Sequence, residues 1–371
     1  MERNGPGMHG RWLYRISLKA PTRQGFPEGR PSPTIVCRMW QIIGHEWAET
    51  LLMRHLQSNG VRHAYLFTGA EGVGKRTLAR RMAQAWLCTQ PPALGQACGV
   101  CRACQGIERG AFPDWHVLRP DGAGGSIRVE AVRALERQLA LSPYEARGRV
   151  ALLESFHLAT EGASNAVLKT LEEPPPKVLL LVTALSTDDL LPTIVSRCEV
   201  IRLRPVPRPR VEDALRAEGA SEEEARQLAG EASGRPGWAL RLLRDPARRQ
   251  ARKRSLDDLR VLLRNGRAER LVYAEKLVGR WKDFESYEEK RGALLEHLEP
   301  WAEALRLAMR EAVGAGDPGV GDGLALGTSI VGKAAEMVRG VQAIERAAEG
   351  VRRNAHLQLA VESMLLELPY F

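Results

Sequence analysis

The feature that most constrains the fold of this chain is a short apolar strand, a glycine-rich loop and a helix in direct succession. Residues 65–67 predict a buried strand, and Leu78, Met82 and Ala85 recur on one face of the helix after the loop. The loop, Gly69-Ala-Glu-Gly-Val-Gly-Lys75, matches the phosphate-binding pattern Gly-x-x-x-x-Gly-Lys. Backbone N–H groups at such a helix N-terminus favour an anion. The sequence therefore predicts a P-loop.

The residues after the lysine depart from a working P-loop. A serine or threonine normally comes next and its hydroxyl holds Mg²⁺, but Arg76 stands there. Thr77 lies one position later, and a helical rotation of about 100° per residue turns it away from the metal position. We therefore expect binding of ATP or ADP to be weak or absent. The candidate nucleotide-binding residues are Gly69, Gly72, Gly74, Lys75 and Thr77.

A second apolar strand, residues 150–154, occupies the place of a Walker B strand. ATP hydrolysis needs a carboxylate near the metal and an adjacent one that polarises the attacking water. Glu154 could serve as the first, but Ser155 cannot serve as the second because a hydroxyl is a poor base. Without the P-loop upstream, these residues would read equally well as a plain core strand. We interpret Glu154 and Ser155 as a degenerate Walker B pair.

Short apolar strands alternate with helical patterns over residues 40–203, which predicts a parallel sheet covered by helices. Three prolines between positions 205 and 209 end this domain. Ser221 and Glu224 predict a capping box in the helical region that follows. The predicted strands are Tyr65–Thr68, Trp115–Leu118, Val150–Glu154, Val178–Thr183 and Val200–Leu203.

These patterns divide the chain into four predicted segments. Residues 1–38 are rich in Gly, Pro and Arg without apolar periodicity, which predicts a disordered extension or a mis-assigned start. Residues 39–205 form the P-loop domain, 206–247 a small helical unit, and 248–371 an all-helical domain for packing or oligomerisation. The Gly- and Asp-rich stretch 314–327 predicts a loop within the last domain.

Four of the six cysteines are crowded into 17 residues. Two Cys-x-x-Cys spacings let neighbouring thiolates converge on one ion, and the fourth thiolate arrives from the end of the preceding helix. Zn²⁺ suits four thiolates, and a filled coordination shell indicates a structural site. The alternative is a set of free buried cysteines. The candidate metal ligands are Cys88, Cys98, Cys101 and Cys104, whereas Cys37 and Cys198 stand alone.

The charge balance is basic, with Lys+Arg 54 against Asp+Glu 45 and a pI of about 9.5. This balance suits nucleic acid or an acidic protein as a partner, and equally an ordinary solvated surface in an arginine-rich protein. No apolar run approaches the roughly 18 residues that span a membrane, and no secretory signal pattern is present. We therefore expect a cytoplasmic protein with no membrane partner.

Two further sets of arginines are candidates for binding phosphate. A helix is predicted to start at Ser126, and its Arg128 and Arg133 could hold a DNA phosphate or form a solvated face. Ser196-Arg197-Cys198 lies between a predicted helix and the last strand. An arginine at such a domain edge can reach a neighbour's γ-phosphate and stabilise charge during transfer. On its own, this tripeptide is a weak signal.

Together these residues resemble the delta-prime family of subunits of the bacterial DNA polymerase III clamp loader. The resemblance covers about residues 39–371, and its most specific part is Leu-Glu-Glu-Pro-Pro combined with Ser-Arg-Cys. Besides the P-loop and the four cysteines, the matching segments are Ile42-Ile-Gly-His45, His63-Ala-Tyr-Leu-Phe-Thr-Gly69, Ser164-Asn-Ala-Val-Leu-Lys-Thr-Leu-Glu-Glu-Pro-Pro175, Ser196-Arg-Cys198, Gly234-Arg-Pro-Gly-Trp-Ala-Leu240 and Arg353-Asn354 through Leu359 to Glu362.

The resemblance implies an AAA+ fold: an α/β P-loop domain, a helical lid and a helical collar. It implies a five-membered ring with delta and gamma or tau subunits, which uses ATP to place the beta sliding clamp on primer-template DNA. In that ring Arg197 would be an arginine finger acting in trans on a gamma or tau neighbour. Thr183 would occupy the sensor-one position, and the four cysteines would form the zinc module of the family.

The departures from the active subunits imply a largely non-hydrolysing scaffold. Arg76, Ser155 and Gly237 stand where active subunits carry a hydroxyl, a glutamate and a sensor arginine. We expect no independent ATPase activity, although the DNA polymerase III holoenzyme is a nucleotidyltransferase complex. The alternative is an active gamma- or tau-like ATPase that uses Lys75 and recruits Thr77 for the metal. A zinc-bearing nucleic-acid-binding module is less favoured, because aromatic residues are few and do not interleave a basic cluster.

Overall fold

A computed structural model describes most of the chain, with gaps. Two sequence predictions lie outside the described residues, namely the N-terminal segment 1–38 with Cys37 and all but the first residue of the loop 314–327. The described residues are 40–58, 60–122, 125–281, 284–314 and 333–370.

Five parallel strands form one sheet, and each begins and ends within one residue of its predicted bounds. They are β1 (Ala64–Thr68), β2 (Trp115–Leu118), β3 (Arg149–Leu153), β4 (Val178–Ala184) and β5 (Glu199–Arg202). Their order across the sheet is β2-β3-β4-β1-β5. The P-loop after β1 and Glu154 after β3 therefore lie at the same edge, with β4 between their strands, because all carboxyl ends of parallel strands point one way.

Helices cover both faces of the sheet, as the alternating pattern predicts. They are α1 (Glu46–Gln57), α2 (Lys75–Leu87), α3 (Arg102–Arg109), α4 (Val129–Leu139), α5 (Glu161–Glu172) and α6 (Pro192–Val195), with a 3₁₀ turn at Phe156–Leu158.

Successive side chains of each strand enter two different cores, since strand residues alternate between faces. Tyr65 and Phe67 of β1 pack in the core that includes α1, α2 and α3. Leu66, between them, packs on the opposite face in the core of α4, α5 and α6. Burying a leucine fully stabilises the fold by about 1.5–3 kcal/mol. The two cores therefore fix the sheet and its P-loop edge from both sides.

The rest of the chain is helical in the described residues, in agreement with the sequence prediction. Two separate apolar clusters hold these helices, the first around Trp238 and the second around Trp301. None of the described helices is both long and apolar enough to cross a membrane. The first cluster joins α7 (Arg208–Ala217), α8 (Glu222–Ala232) and α9 (Pro236–Arg244); the second joins α10 (Pro246–Leu262), α11 (Arg267–Gly279), α12 (Tyr287–Ala312), α13 (Ala334–Arg352) and α14 (Leu357–Glu367).

Two local predictions need correction. The Ser221 hydroxyl accepts the Glu224 N–H at 3.2 Å, but the Glu224 carboxylate pairs with Arg249 and does not close the predicted capping box. The guanidinium of α10 thus competes successfully for that carboxylate. The helix predicted to start at Ser126 starts at Val129 instead, because Ile127 is extended and forms a bridge with Ala159.

Candidate functional site

The P-loop connects β1 to α2 and is held by close backbone contacts. Gly69 has a φ of +141°, and a Cβ there would lie 2.4 Å from the carbonyl oxygen of Leu203. Gly72 has a φ of +77°, and its Cβ would lie 2.9 Å from the backbone nitrogen of Trp238. Both positions require glycine because a side chain would clash in a left-handed backbone. Gly74 caps α2 with a φ of +119°.

Lys75 is turned back onto its own loop. Its Nζ donates hydrogen bonds to the carbonyl oxygens of Gly69 at 2.5 Å and Ala70 at 2.9 Å. Burial lowers the pKa of Lys75 to about 8, and the nearby Glu71 carboxylate opposes that shift. The phosphate-binding lysine is thus present at the predicted place, with its ammonium group engaged by two loop carbonyls.

Arg76 forms an ion pair with the degenerate Walker B glutamate. Its Nε lies 2.7 Å from Oε1 of Glu154, and Nε of Arg119 lies 3.1 Å from Oε2 of the same carboxylate. The contact at Oε1 is electrostatic, since this oxygen has no hydrogen bond of good geometry among the described residues. Glu154 is only 13% exposed, so a second guanidinium helps to offset the cost of burying its charge.

By the P-loop pattern, Arg76 stands at the sequence position of the Mg²⁺ ligand, and its guanidinium lies beside Glu154. The Arg76 guanidinium neutralises the carboxylate that could bind Mg²⁺ and repels a second cation. Thr77, the alternative hydroxyl, is exposed on the first turn of α2. The sequence predicted the loss of the metal ligand at Arg76. It did not predict Arg119, whose position beside Glu154 follows from the pairing of β2 with β3.

The serine after Glu154 and the predicted sensor-one threonine contact each other. The backbone N–H of Ser155 donates to Thr183 Oγ1 at 2.8 Å, and Ser155 has a left-handed φ of +50°. Thr183 lies in β4 and is 3% exposed. Its hydroxyl therefore holds the turn after β3. No carboxylate accompanies Glu154 at position 155, as the sequence requires.

Gly237, at the start of α9, touches the P-loop directly. Its N–H donates to the Gly72 carbonyl oxygen at 2.8 Å, and a Cβ on Gly237 would lie 2.9 Å from that oxygen. A side chain of any kind would therefore force the two backbones apart. The glycine at the position of a sensor arginine thus serves a close approach between α9 and the loop.

A buried charge network, which the sequence did not reveal, holds α9 against the C-terminal helices. The guanidinium groups of Arg235 and Arg252 lie 5.0 Å and 4.7 Å from the Trp238 ring, within cation–π range. Both arginines pair with Glu303 of α12, Arg252 at 2.9 Å. Because Trp238 also packs on Gly72, this network connects α12 to the P-loop.

The four crowded cysteines converge, as predicted. Their sulfur atoms all lie within 4.8 Å of one another, and this set could hold a metal ion. The backbone N–H of Cys101 donates to Cys98 Sγ at 3.2 Å, and that of Cys104 donates to Cys101 Sγ at 3.4 Å. Such donors favour thiolates. Cys88, the fourth member, ends α2.

Arg197 lies at the surface, between α6 and β5. Its Nη2 is 2.8 Å from Oε1 of Glu172, and its Nη1 donates to the Thr193 carbonyl oxygen at 2.9 Å. The side chain is 34% exposed and that of Glu172 is 51% exposed. The structure thus brings the two most specific motifs of the sequence, Leu-Glu-Glu-Pro-Pro and Ser-Arg-Cys, into contact.

The other arginine candidates show no built site. Arg128 precedes α4, and its Nε lies 3.8 Å from Asp121, with both side chains about two-thirds exposed. Arg133 is exposed one turn further along α4. The solvated helix face remains the simpler interpretation, since such exposed pairs contribute little.

The sheet topology and the loop geometry define an α/β P-loop protein, in which two helical clusters follow the sheet domain. Residues 44–207 match the family described as DNA polymerase III, delta subunit. Over 136 aligned residues the chain is 44% identical to the delta-prime subunit of DNA polymerase III from Pseudomonas aeruginosa. The aligned residues cover 37% of this chain and 41% of that subunit. These matches confirm the resemblance to the delta-prime subunit of the clamp loader.

The tau subunit of DNA polymerase III from Escherichia coli is also similar. It is 35% identical over 176 residues, which cover 46% of this chain and 27% of tau. The chain thus spans less than half the length of these two relatives. Among solved structures, a gamma subunit-related protein of Thermotoga maritima aligns with 86% of this chain and 97% of its own length, at 17% identity and a TM-score of 0.47.

Proposed function

We propose that this chain is the delta-prime subunit of a bacterial replicative clamp loader. In this role it is a largely non-hydrolysing scaffold in a ring with delta and gamma or tau subunits. The ring loads the beta sliding clamp onto primer-template DNA, and the chain reaches clamp and DNA through that complex. The proposal places it in the cytoplasm, with residues 39–205, 206–247 and 248–371 as P-loop domain, lid and collar.

The observation that carries the non-hydrolysing role is the ion pair between Arg76 and Glu154 at 2.7 Å. Hydrolysis needs a metal ligand after the lysine and a second carboxylate after Glu154. An arginine and Ser155 stand at those positions, and each change alone removes a required group. Nucleotide, if it binds, is expected to bind weakly through Lys75 and the loop glycines.

The alternative function is an active gamma- or tau-like ATPase, and the positions of Thr77 and Glu154 disfavour it. It would need Thr77 to hold the metal, but that residue is exposed one position past Arg76. It would also need Glu154 free for the metal, whereas two guanidinium groups contact both of its oxygens. Even slow ATP turnover by the purified chain, abolished by Lys75→Ala, would favour the rival.

The placement of Arg197 supports a role in trans. Its side chain is partly exposed and lies on the outside of the sheet domain, so a neighbouring subunit can approach it. The carboxylate that holds it belongs to an exposed pair, and such pairs contribute only about 0–1 kcal/mol. Exchanging Glu172 for a γ-phosphate therefore costs little, while the guanidinium gains a bidentate anion partner.

Zinc is proposed as the structural metal of the four cysteines. Tetrahedral Zn–S bonds of about 2.3 Å place sulfur atoms roughly 3.8 Å apart. The Cys88–Cys101 and Cys98–Cys104 sulfur pairs lie 3.9 Å and 4.0 Å apart. All of the sulfur pairs lie within 4.8 Å, so the thiols need to move by only a small distance to bind the ion. Bound zinc would cross-link the segment 88–104 to the end of α2, and it has no step in phosphate chemistry.

Reconstitution tests the proposed function. We would assemble the chain with delta and gamma or tau subunits of the same organism and measure ATP turnover stimulated by clamp and primed DNA. The variants are Arg197→Ala and, as a matched control, Arg202→Ala, which removes an exposed arginine of β5. We expect turnover to depend on this chain and to collapse only with Arg197→Ala, while the assembled mass measured by light scattering is unchanged. No assembly with the wild-type chain would overturn the assignment.

A further inference from the structure

An open pocket of about 410 Å³ lies beside the degenerate P-loop, where β2 and β3 end. Its walls are the first turns of α2, the C-terminal end of α3 and the outer strand β2. Neither Lys75 nor the loop glycines line it, so it adjoins the nucleotide cradle at Arg76 and Glu154 without including the loop itself. Its charged lining residues are Arg76, Arg80, Arg109, Arg119, Glu108 and Glu154.

The pocket has a surplus of positive charge, with four arginines against two glutamates. Each glutamate is already shared between two guanidinium groups. Glu108 contacts Arg80 and Arg81, both at 3.0 Å, and Glu154 contacts the two arginines described above. A carboxylate shared in this way neutralises only one of its two partners. The uncompensated charge therefore remains available to an anion from solution.

Arg109 contributes most directly to this surplus. It is exposed at the last turn of α3 and hydrogen-bonds only to Gln105, at 3.3 Å to the backbone oxygen and 3.2 Å to Oε1. It pairs with no carboxylate in the part of the chain that the structure describes. The negative end of α3 lies at the same wall, but the N–H groups of Gly110 and Ala111 cap its last carbonyls at 3.1 Å and 2.8 Å.

The depth of each group favours an incoming anion. Arg76 and Arg119 are 49% and 53% exposed, whereas the carboxylate of Glu154 between them is 13% exposed. An anion therefore meets the guanidinium groups before the carboxylate. Burial lowers the pKa of Arg76, and the neighbouring Arg119 and Arg80 lower it further against the effect of Glu154. A bound anion would relieve this crowding of like charges.

We propose that this pocket binds a phosphate group through Arg80, Arg109 and Arg119. Guanidinium groups match phosphate oxygens with paired N–H donors, which a single ammonium cannot do. The phosphate can come from a small phosphate ion or from the backbone of a nucleic acid, and both offer the same oxygens. The site stands independently of the role in the clamp loader, because it requires neither a partner subunit nor ATP in the P-loop.

Calorimetry with pyrophosphate and fluorescence anisotropy with a labelled primer-template oligonucleotide test the proposal on the full chain. The principal variant carries Arg80→Gln and Arg119→Gln together. It leaves Glu108 paired with Arg81 and Glu154 paired with Arg76, so neither carboxylate loses its last partner. We expect affinity for at least one probe to fall roughly tenfold or more, because two charge-assisted contacts are lost.

Three further variants make the outcome decisive: one that tests the same pocket and two that test sites outside it. Arg109→Gln removes an exposed side chain, so it tests the same pocket without risk to folding. Arg102→Gln changes the matching exposed arginine at the other end of α3 and should leave affinity unchanged. Lys75→Ala measures any separate binding of pyrophosphate at the P-loop, because Lys75 does not line the pocket.

Loss of oligonucleotide affinity in the pocket variants would identify nucleic acid as the source of the phosphate. Loss confined to pyrophosphate would identify a small phosphate ion. The proposal is overturned if neither probe responds to the pocket variants, or if Lys75→Ala alone abolishes binding. Failure of the clamp-loader assignment would instead appear as missing ring assembly, which these binding measurements do not involve.

Discussion

At the P-loop, Arg76 is paired with a largely buried carboxylate, whereas Arg197 is paired with an exposed carboxylate at the surface of the same domain. Lys75 binds loop carbonyls at 2.5 and 2.9 Å, and Arg76 lies 2.7 Å from Glu154. Arg197 is 34% exposed, and its partner Glu172 is 51% exposed. Both arginines are paired within the chain, and the difference lies in the partner carboxylate, which is 13% exposed for Glu154 and 51% exposed for Glu172.

Under the proposed function, the P-loop has lost its metal ligand, whereas the arginine that would act on a neighbour is retained. Arg76, at the sequence position of the metal ligand, is paired with the largely buried carboxylate of Glu154. The pair of Arg197 with the exposed Glu172 adds little stability. The proposed role in trans requires such a weak pair, and the following predictions test that contrast.

The largest expected effect is the loss of the Arg197 guanidinium in the reconstituted complex, which Arg197→Ala and Arg197→Lys both remove. Lysine keeps the charge but lacks the planar fork of donors. We expect single-turnover hydrolysis at the neighbouring subunit's site to fall by roughly 10³-fold or more for Arg197→Ala, with Arg197→Lys recovering only a small part. Full activity of the lysine variant would show that charge alone suffices. Full activity of the alanine variant would remove the contrast between the two sites.

The next effect concerns the four-cysteine cluster, which adjoins the end of α2 that lies away from the P-loop. Cys101→Ser should lose about one zinc per chain and lower the free energy of unfolding by about 3–5 kcal/mol, because metal binding is coupled to folding. Metal analysis and thermal unfolding measure both changes. Cys198→Ser is the matched control, since this thiol lies apart from the cluster and burial raises its pKa to about 12. Retained metal in Cys101→Ser would contradict the prediction.

His297 in the C-terminal helices provides a comparison with the charged groups of the sheet domain. Its burial disfavours the protonated imidazole, and it lies in α12, outside the P-loop domain. Burial lowers the pKa of His297 to about 4, against the opposing effect of Asp258. An unfolded histidine titrates near 6.5, so the unfolded state binds more protons between pH 6.5 and 4. The stabilisation that comes from keeping His297 neutral is therefore complete above pH 6.5 and is lost as the pH falls from 6.5 to about 4.

Urea unfolding measures this effect. We expect the free energy of unfolding to include a loss of about 2 kcal/mol from His297 at pH 5 relative to pH 7.5. The His297→Gln variant, which does not titrate, should lack that part of the pH dependence. Identical pH profiles for the variant and the wild type would contradict the assignment of the shift to this residue.

A smaller effect is expected from restoring the hydroxyl at the P-loop. Arg76→Thr removes the guanidinium from Glu154 and supplies a Mg²⁺ ligand, so affinity for Mg·ATP should rise roughly tenfold. Hydrolysis should stay negligible because Ser155 cannot polarise water. Calorimetry with and without Mg²⁺ measures the first expectation. An unchanged affinity for Mg·ATP would mean that Arg76 does not exclude the metal. Rapid ATP hydrolysis by Arg76→Thr would favour the alternative of an active ATPase.

The smallest effect is expected at the carboxylate that holds Arg197. Glu172→Gln removes the charge of an exposed pair and should leave stability within about 1 kcal/mol. In the assembled complex, turnover should rise by a factor of roughly two to three, because Arg197 is released more readily toward its neighbour. Glu173→Gln, at the exposed adjacent position, is the control. A loss of turnover would instead show that Glu172 positions the arginine productively.

Most of the fold could be predicted from local sequence patterns. Sequence runs of four to six residues predicted each strand within one residue. The three central strands β1, β3 and β4 are buried on both faces and therefore have a continuous apolar signature. The cysteine cluster was equally readable, since two Cys-x-x-Cys spacings leave the thiols little freedom. The capping box at Ser221 failed for a non-local reason, as Arg249 attracts the Glu224 carboxylate.

Only part of the candidate site could be predicted from the sequence. Arg76 and Ser155 were recognisable as departures because the P-loop and Walker B patterns fix their positions. Arg119 was not, because it reaches Glu154 only when β2 and β3 are neighbours in the sheet. The role of Gly237 also depends on packing, since its distance from Gly72 is set by the docking of α9.

The sequence by itself determined the alternating α/β domain, the lost metal ligand, the cysteine cluster and the specific Ser-Arg-Cys motif. These features depend on residue type and short spacing, which the chain carries locally. Only the tertiary structure decided that Glu154 is shared by Arg76 and Arg119 and that Arg197 rests on Glu172. Ion pairs between distant residues depend on which strands and helices become neighbours, and no local pattern encodes that choice.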